Sequence, residues 1–166
     1  SVQNRARIIT DIIKEIKHNT DSSKFSIFAK INGSDQVKGG VTPAIAKQTI
    51  SILANEGVNL FEISHGLVYP WRNAKSKKNQ ITQKIPRLYN EFIEKNKTSD
   101  FGNPIKKEII FDFKKTNPGV AFAMNGNLRN FQDMENLIKD WTCDMVSLGR
   151  PLLKEPFLVQ KFYGST

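Results

Sequence analysis

The sequence predicts an α/β fold made of parallel (β/α) repeats. Three observations point there. Short apolar stretches rich in Val, Ile, Phe and Ala alternate with amphipathic stretches of helical period. The alternation is strict and reads α-β-α-β-α-β-α-β-α, which implies a parallel sheet with right-handed crossovers. The apolar stretches also end in residues that suit a binding face, since the carboxyl ends of parallel strands share one side of the fold.

Residues 5 to 18 open the chain as an amphipathic helix, with Ile8, Ile9, Ile12, Ile13 and Ile16 as a one-sided apolar stripe. Asn19-Thr20-Asp21-Ser22-Ser23 ends it, and His18 complements its dipole. Phe25 to Ile31 is the first strand, with Lys30 near its end. A polar loop follows, from Asn32 through Gly39-Gly40. Thr42-Pro43 starts the next helix, Thr as N-cap and Pro in the first turn. Gly57 closes that helix in the C′ role. Val58 to Ile63 is the second strand and runs into Ser64-His65-Gly66.

Residues 67 to 104 read as a long βα loop or insertion, with a helix possible between Arg87 and Lys95. Connections of that length are often functional. Pro104 opens a helix through Lys115, and Asn117-Pro118-Gly119 ends it. Val120 to Met124 is the third strand. Asn130 caps a helix from Phe131 to Asp140. The fourth strand is a short buried one, Met145 to Leu148, and Pro156 to Phe162 is a terminal helix.

Length and composition narrow the classes. The 166 residues suffice for one unit with a core, and residues 1–166 are expected to form a single half-barrel segment. Hydrophobic content of 39% against 25% charged excludes a disordered chain. No apolar run reaches the roughly 20 residues of a membrane span, and the opening residues lack an apolar signal region. The single cysteine, Cys143, suits a reducing compartment, so a cytoplasmic location is expected, and a structural thiol is expected over a nucleophile. The net charge of +9 admits an anionic ligand or nucleic acid. The densest basic cluster, Lys75-Ser76-Lys77-Lys78, lacks interleaved aromatics, so nucleic acid is not the expected partner. No metal site is expected.

The strand ends carry the chemistry: Lys30, His65, Gly126 with Asn127, and Gly149 with Arg150. Glycines let an oxyanion approach the backbone, and Arg supplies a rigid fork of donors. Two successive strands ending in Gly is how a (β/α)8 barrel builds a phosphate site after its last two strands.

Five stretches in order resemble the FMN-dependent NADH:flavin oxidoreductases, the old yellow enzyme family. They are Asn4-Arg5-Ala6-Arg7, Lys30 to Asp35 with Gly39-Gly40-Val41-Thr42, Glu62-Ile63-Ser64-His65-Gly66, Met124 to Arg129, and Leu148-Gly149-Arg150-Pro151 with Glu155-Pro156. The resemblance implies the C-terminal half of a TIM (β/α)8 barrel, about four βα units after a preceding helix. It implies FMN as cofactor, NADH or NADPH as reductant, and a small-molecule electrophile (an activated alkene or quinone) as acceptor. It implies that Lys30 stands beside the flavin ring and that Gly126, Asn127, Gly149 and Arg150 hold the phosphate. His65 stands where the family usually has Gly and is a substrate-side candidate. Asn127 also replaces a usual Gly. The resemblance implies that the catalytic residues lie upstream of Ser1, and that an upstream half-barrel or self-association covers the sheet edges. Two alternatives stand beside it: an FMN-dependent enzyme like the tRNA dihydrouridine synthases, and a flavin-free structural remnant.

Overall fold

A computed structural model describes residues 1–21, 23–66, 91–99, 106–126, 128 and 130–164. The elements run α1 (Val2–Asn19), β1 (Ile27–Ser34), α2 (Pro43–Asn55), β2 (Val58–His65), α3 (Lys107–Thr116), β3 (Ala121–Asn125), α4 (Phe131–Lys139), β4 (Met145–Ser147), α5 (Arg150–Lys154) and α6 (Leu158–Phe162). The four strands form one sheet in the order β1-β2-β3-β4. Every pairing is parallel. This is an α/β fold of successive βα units with a strand order that follows the chain, as in part of a (β/α) barrel. Among the described residues, no helix is long and apolar enough to cross a membrane.

Local sequence accounts for the element boundaries. Thr42 caps α2 through its side chain, which accepts from the Ile45 amide, and Pro43 follows in the first turn. Asn130 caps α4 by accepting from the Gln132 amide. Gly57 adopts a φ of +107° just past α2 and releases the chain into β2.

The core lies between the helices and one face of the sheet. Ala46, Ile50 and Leu53 of α2 and Ile110 and Phe113 of α3 meet Phe61 and Ile63 of β2 and Phe122 and Met124 of β3. Phe61 and Phe122 are register partners, and their rings stack with centroids 5.9 Å apart. Strand alternation sends the intervening residues to the opposite face. That face carries Phe28, Lys30 and Asn32 of β1, paired with Leu60, Glu62 and Ser64 of β2. Ala123 and Asn125 of β3 continue it to Met145 and Ser147 of β4. Parallel sheets are ordinarily buried on both sides. Here Phe28 is 66% exposed and Met145 51%.

Several sequence expectations are corrected. The α1 stripe is only partly covered: Ile13 is buried with Ala6 and Thr10, while Ile8, Ile12 and Ile16 are exposed. Five isoleucines make a stripe wider than the neighbouring α2 can cover. β1 starts at Ile27 and runs to Ser34, so Lys30 is mid-strand. Pairing of Asn32 with Ser64 and of Ser34 with His65 extends both strands past their apolar runs. β4 is short as expected but not buried at its start, because Met145 points to the open face of an edge strand. The expected terminal helix is α6, which starts at Leu158 and ends at Phe162, and an unforeseen short helix, α5, begins at Arg150 itself. The helix expected from Pro104 begins at Lys107, and residues 100–105 lie outside the described residues.

Of the expected long loop, residues 91–96 are helical and the chain from 67 to 90 lies outside the described residues. Ile93 is fully buried. This segment lies along the β1–α2 loop, where Val37 bridges Lys97 and the Lys38 amide donates to the Asn96 carbonyl at 2.8 Å.

Candidate functional site

An open cleft of ≈ 740 Å³ lies at the carboxyl ends of β3 and β4. Its lining includes Asn125, Gly126, Ser147, Gly149, Arg150 and Lys154, with Leu128 and Leu158 as apolar walls. The structure therefore brings together three of the residues singled out from sequence: Gly126, Gly149 and Arg150. Asn127 lies outside the described residues. Lys30 and His65 do not line the cleft, and each reaches it through an intermediary.

Arg150 and Lys154 stand one turn apart on α5 and give the cleft a cationic wall. Glu155 also lines it, but its carboxylate is held by Lys161 at 2.6 Å. The Lys161 ammonium holds the Glu155 carboxyl below its ordinary range. Open space surrounds Gly149, where an added Cβ would meet nothing within 4 Å. An incoming oxyanion can thus approach that stretch of backbone.

Gly126 has a φ of +106°. A Cβ there would lie 2.5 Å from Cε1 of His65. The imidazole thus fills the space behind the glycine. Its Nδ1 is buried and has no hydrogen-bond partner among the described residues. Desolvation by burial pushes the His65 pKa below its ordinary value of 6.5, so the ring is neutral at neutral pH.

Lys30 connects to the cleft through Glu62. Its Nζ donates to Glu62 Oε1 at 2.6 Å, and the same oxygen accepts from Asn125 Nδ2 at 2.7 Å. Asn125 Nδ2 also donates to Ser147 Oγ, at a long 3.4 Å. Each strand contributes one member: Lys30 from β1, Glu62 from β2, Asn125 from β3, Ser147 from β4. The Lys30 hydrogen bond holds the Glu62 carboxyl below its ordinary range, with Asn125 and Ser147 adding to it against desolvation. Glu62, Asn125, Ser147 and Lys154 were not singled out as site residues from sequence. A usable signal was present in Glu62, since a carboxylate inside an otherwise apolar strand needs a partner.

The loop after β1 is fastened by Asp35. Its Oδ2 accepts from the Val41 amide at 2.8 Å and its Oδ1 from Asn32 Nδ2 at 2.9 Å. Gly40 is where it is because a Cβ would come within 2.8 Å of Asp35 Cβ. Cys143 is buried, and burial pushes its thiol pKa up, as a structural rather than a nucleophilic thiol requires.

The donor set and shape fit a phosphorylated ligand. The cleft volume is within the range of small-molecule sites. Cations and exposed backbone mark one part of its lining, and apolar side chains mark another.

No protein-family model matches the chain. The chain is similar to the NADH-dependent flavin oxidoreductase iliE of Neonectria sp. (strain DH2), at 24% identity over 159 residues. That similarity covers 93% of this chain and 18% of the relative, so the chain spans about a fifth of the length of the protein it matches.

Proposed function

We propose that this chain supplies the cofactor-phosphate half of an FMN-dependent oxidoreductase that draws on NADH or NADPH and reduces a small electrophile such as an activated alkene or quinone. The observation that carries the reading is the convergence of Gly126, Gly149 and Arg150 on one cleft at the carboxyl ends of adjacent parallel strands. The similarity to a relative named as an NADH-dependent flavin oxidoreductase supports it.

Bound there, a flavin would supply hydride acceptance and donation. The chain's own residues have narrower tasks. Arg150 and the backbone at Gly149 and Gly126 would hold the phosphate, Arg150 by charge-assisted hydrogen bonds. Lys154 would add charge at the same wall. Lys30 would place a cation on the inner face of the sheet, where negative charge on a reduced ring is stabilised. His65, with its ring behind Gly126, would act on the shape of the phosphate loop.

The same reading explains the half-open sheet. Phe28 and Met145 on the inner face, and the edges of β1 and β4, would be covered by a further set of βα units closing an eight-stranded barrel. The groups that bind and protonate the electrophile would come from that other half.

Arg150→Ala tests the phosphate assignment. The variant should weaken FMN binding roughly tenfold or more, the size expected for losing a charge-assisted hydrogen bond. Isothermal titration with FMN reads it directly. An unchanged dissociation constant removes Arg150 from the site.

A further inference from the structure

We propose that Glu62 is a positioning residue that fixes the hydrogen-bond polarity of the cleft floor, and that it thereby selects ligands carrying hydroxyl donors next to their phosphate. The ligand half of this inference rests on the flavin-phosphate reading above. The positioning half rests only on the geometry.

An ionised carboxylate can accept hydrogen bonds but cannot donate them. Every group that touches Glu62 must therefore turn a donor toward it. Lys30 has nothing else to offer. Asn125 has a choice, and Glu62 removes it: Nδ2 lies 2.7 Å from Oε1, so the amide oxygen is the atom left over. Ser147 Oγ is set by the same amide, since it lies within reach of Asn125 Nδ2. Asn125 Nδ2 lies 3.4 Å from Ser147 Oγ, a long contact consistent with that hydroxyl acting as acceptor.

Asn125 and Ser147 both line the cleft, whereas Glu62 and Lys30 do not. The floor at the ends of β3 and β4 thus presents acceptors, while Arg150 and Lys154 present donors. A phosphate alone uses only the donors. A ligand with hydroxyl groups beside its phosphate, as on a sugar-alcohol chain, uses both.

Glu62→Gln keeps the shape and reverses the logic, because a Gln amide can turn a donor toward its neighbours and compete with theirs. Asn125 then loses its fixed orientation, and Ser147 the donor that Asn125 turns toward it. The probes are FMN, riboflavin and inorganic phosphate, titrated against the wild-type protein and the variant, with thermal melting to check folding. Glu62→Gln should weaken FMN and riboflavin roughly tenfold, the size of a lost hydrogen bond to a charged group. Inorganic phosphate binding should stay within about twofold, since its donors are untouched. Unchanged FMN affinity, or a parallel loss for FMN and phosphate, overturns the proposal.

A second readout needs no ligand. The Asn125 side-chain amide protons should be protected from solvent exchange in the wild type and lose that protection in Glu62→Gln. No change there overturns the positioning role itself. A protein in which this protection behaves as expected but neither flavin binds overturns the flavin reading and the ligand half with it. Where Glu62→Gln fails to fold, Asn125→Ala removes the acceptor that Glu62 orients and should show the same selective loss at about threefold. Equal affinities for wild type and Asn125→Ala overturn the proposal as well.

Discussion

Gly126 is constrained from two sides. Its φ of +106° lies where a side chain is disfavoured, and the imidazole of His65 occupies the position a Cβ would take. Gly126→Ala should therefore destabilise the protein by about 1–3 kcal/mol from backbone strain, with the clash added. Pairing it with His65→Gly relieves the clash but not the φ. A double-mutant cycle read by chemical denaturation should show a coupling of at least about 0.5 kcal/mol, as contacting residues do. Additive effects would mean that His65 does not limit the loop. Both partners were legible as strand-end residues, Gly126 beside a candidate anion and His65 as a ring in place of a small residue. Their contact was not legible, because it joins residues 61 positions apart through the pairing of β2 with β3. The Glu62 network was hidden for the same reason: each member looks ordinary alone, and only strand register lines up Lys30 with Glu62 and Asn125 with Ser147.

Among the elements, the helices whose boundaries are set by local chemistry were the most readable. Thr42-Pro43 and Asn130 fixed the starts of α2 and α4, because a cap needs only its own next turn. Strand ends were less readable. Asn32 to Ser34 look like loop residues, and they become strand only because Ser64 and His65 pair with them. The short helix α5 was missed, although Pro151 in its first turn was a signal for a helix start. α1 gives the clearest case of a correct element with the wrong face. Its period predicted a helix, but five isoleucines cannot say which of them a neighbour covers. Ile13→Ala should cost about 2–4 kcal/mol, as large-to-small core changes do, whereas Ile8→Ala should stay within about 0.5 kcal/mol. Urea unfolding of the two variants checks this. A cost at Ile8 matching that at Ile13 would mean that another surface covers the outer face of α1.

At the scale of the whole molecule, strict βα alternation was enough to reach a parallel sheet in chain order, since each crossover returns to the neighbouring strand position. The helix-covered face follows from the same pattern and holds the core. The other face has an apolar end, with Phe28 and Leu60, and a polar end that leads to the cleft. That polarity suits the barrel proposed above, with its site at the carboxyl ends of the strands. It also ties the three levels together: register builds the Glu62 network, the network orients the floor of the cleft, and the glycines and Arg150 complete it. The most direct test of this account is a fluorescence titration of the protein with FMN and, in parallel, with riboflavin. FMN should bind saturably and riboflavin at least about tenfold more weakly, because Arg150 and the backbone at Gly149 and Gly126 act on the phosphate. Equal affinity for the two, or no binding of either, would contradict it.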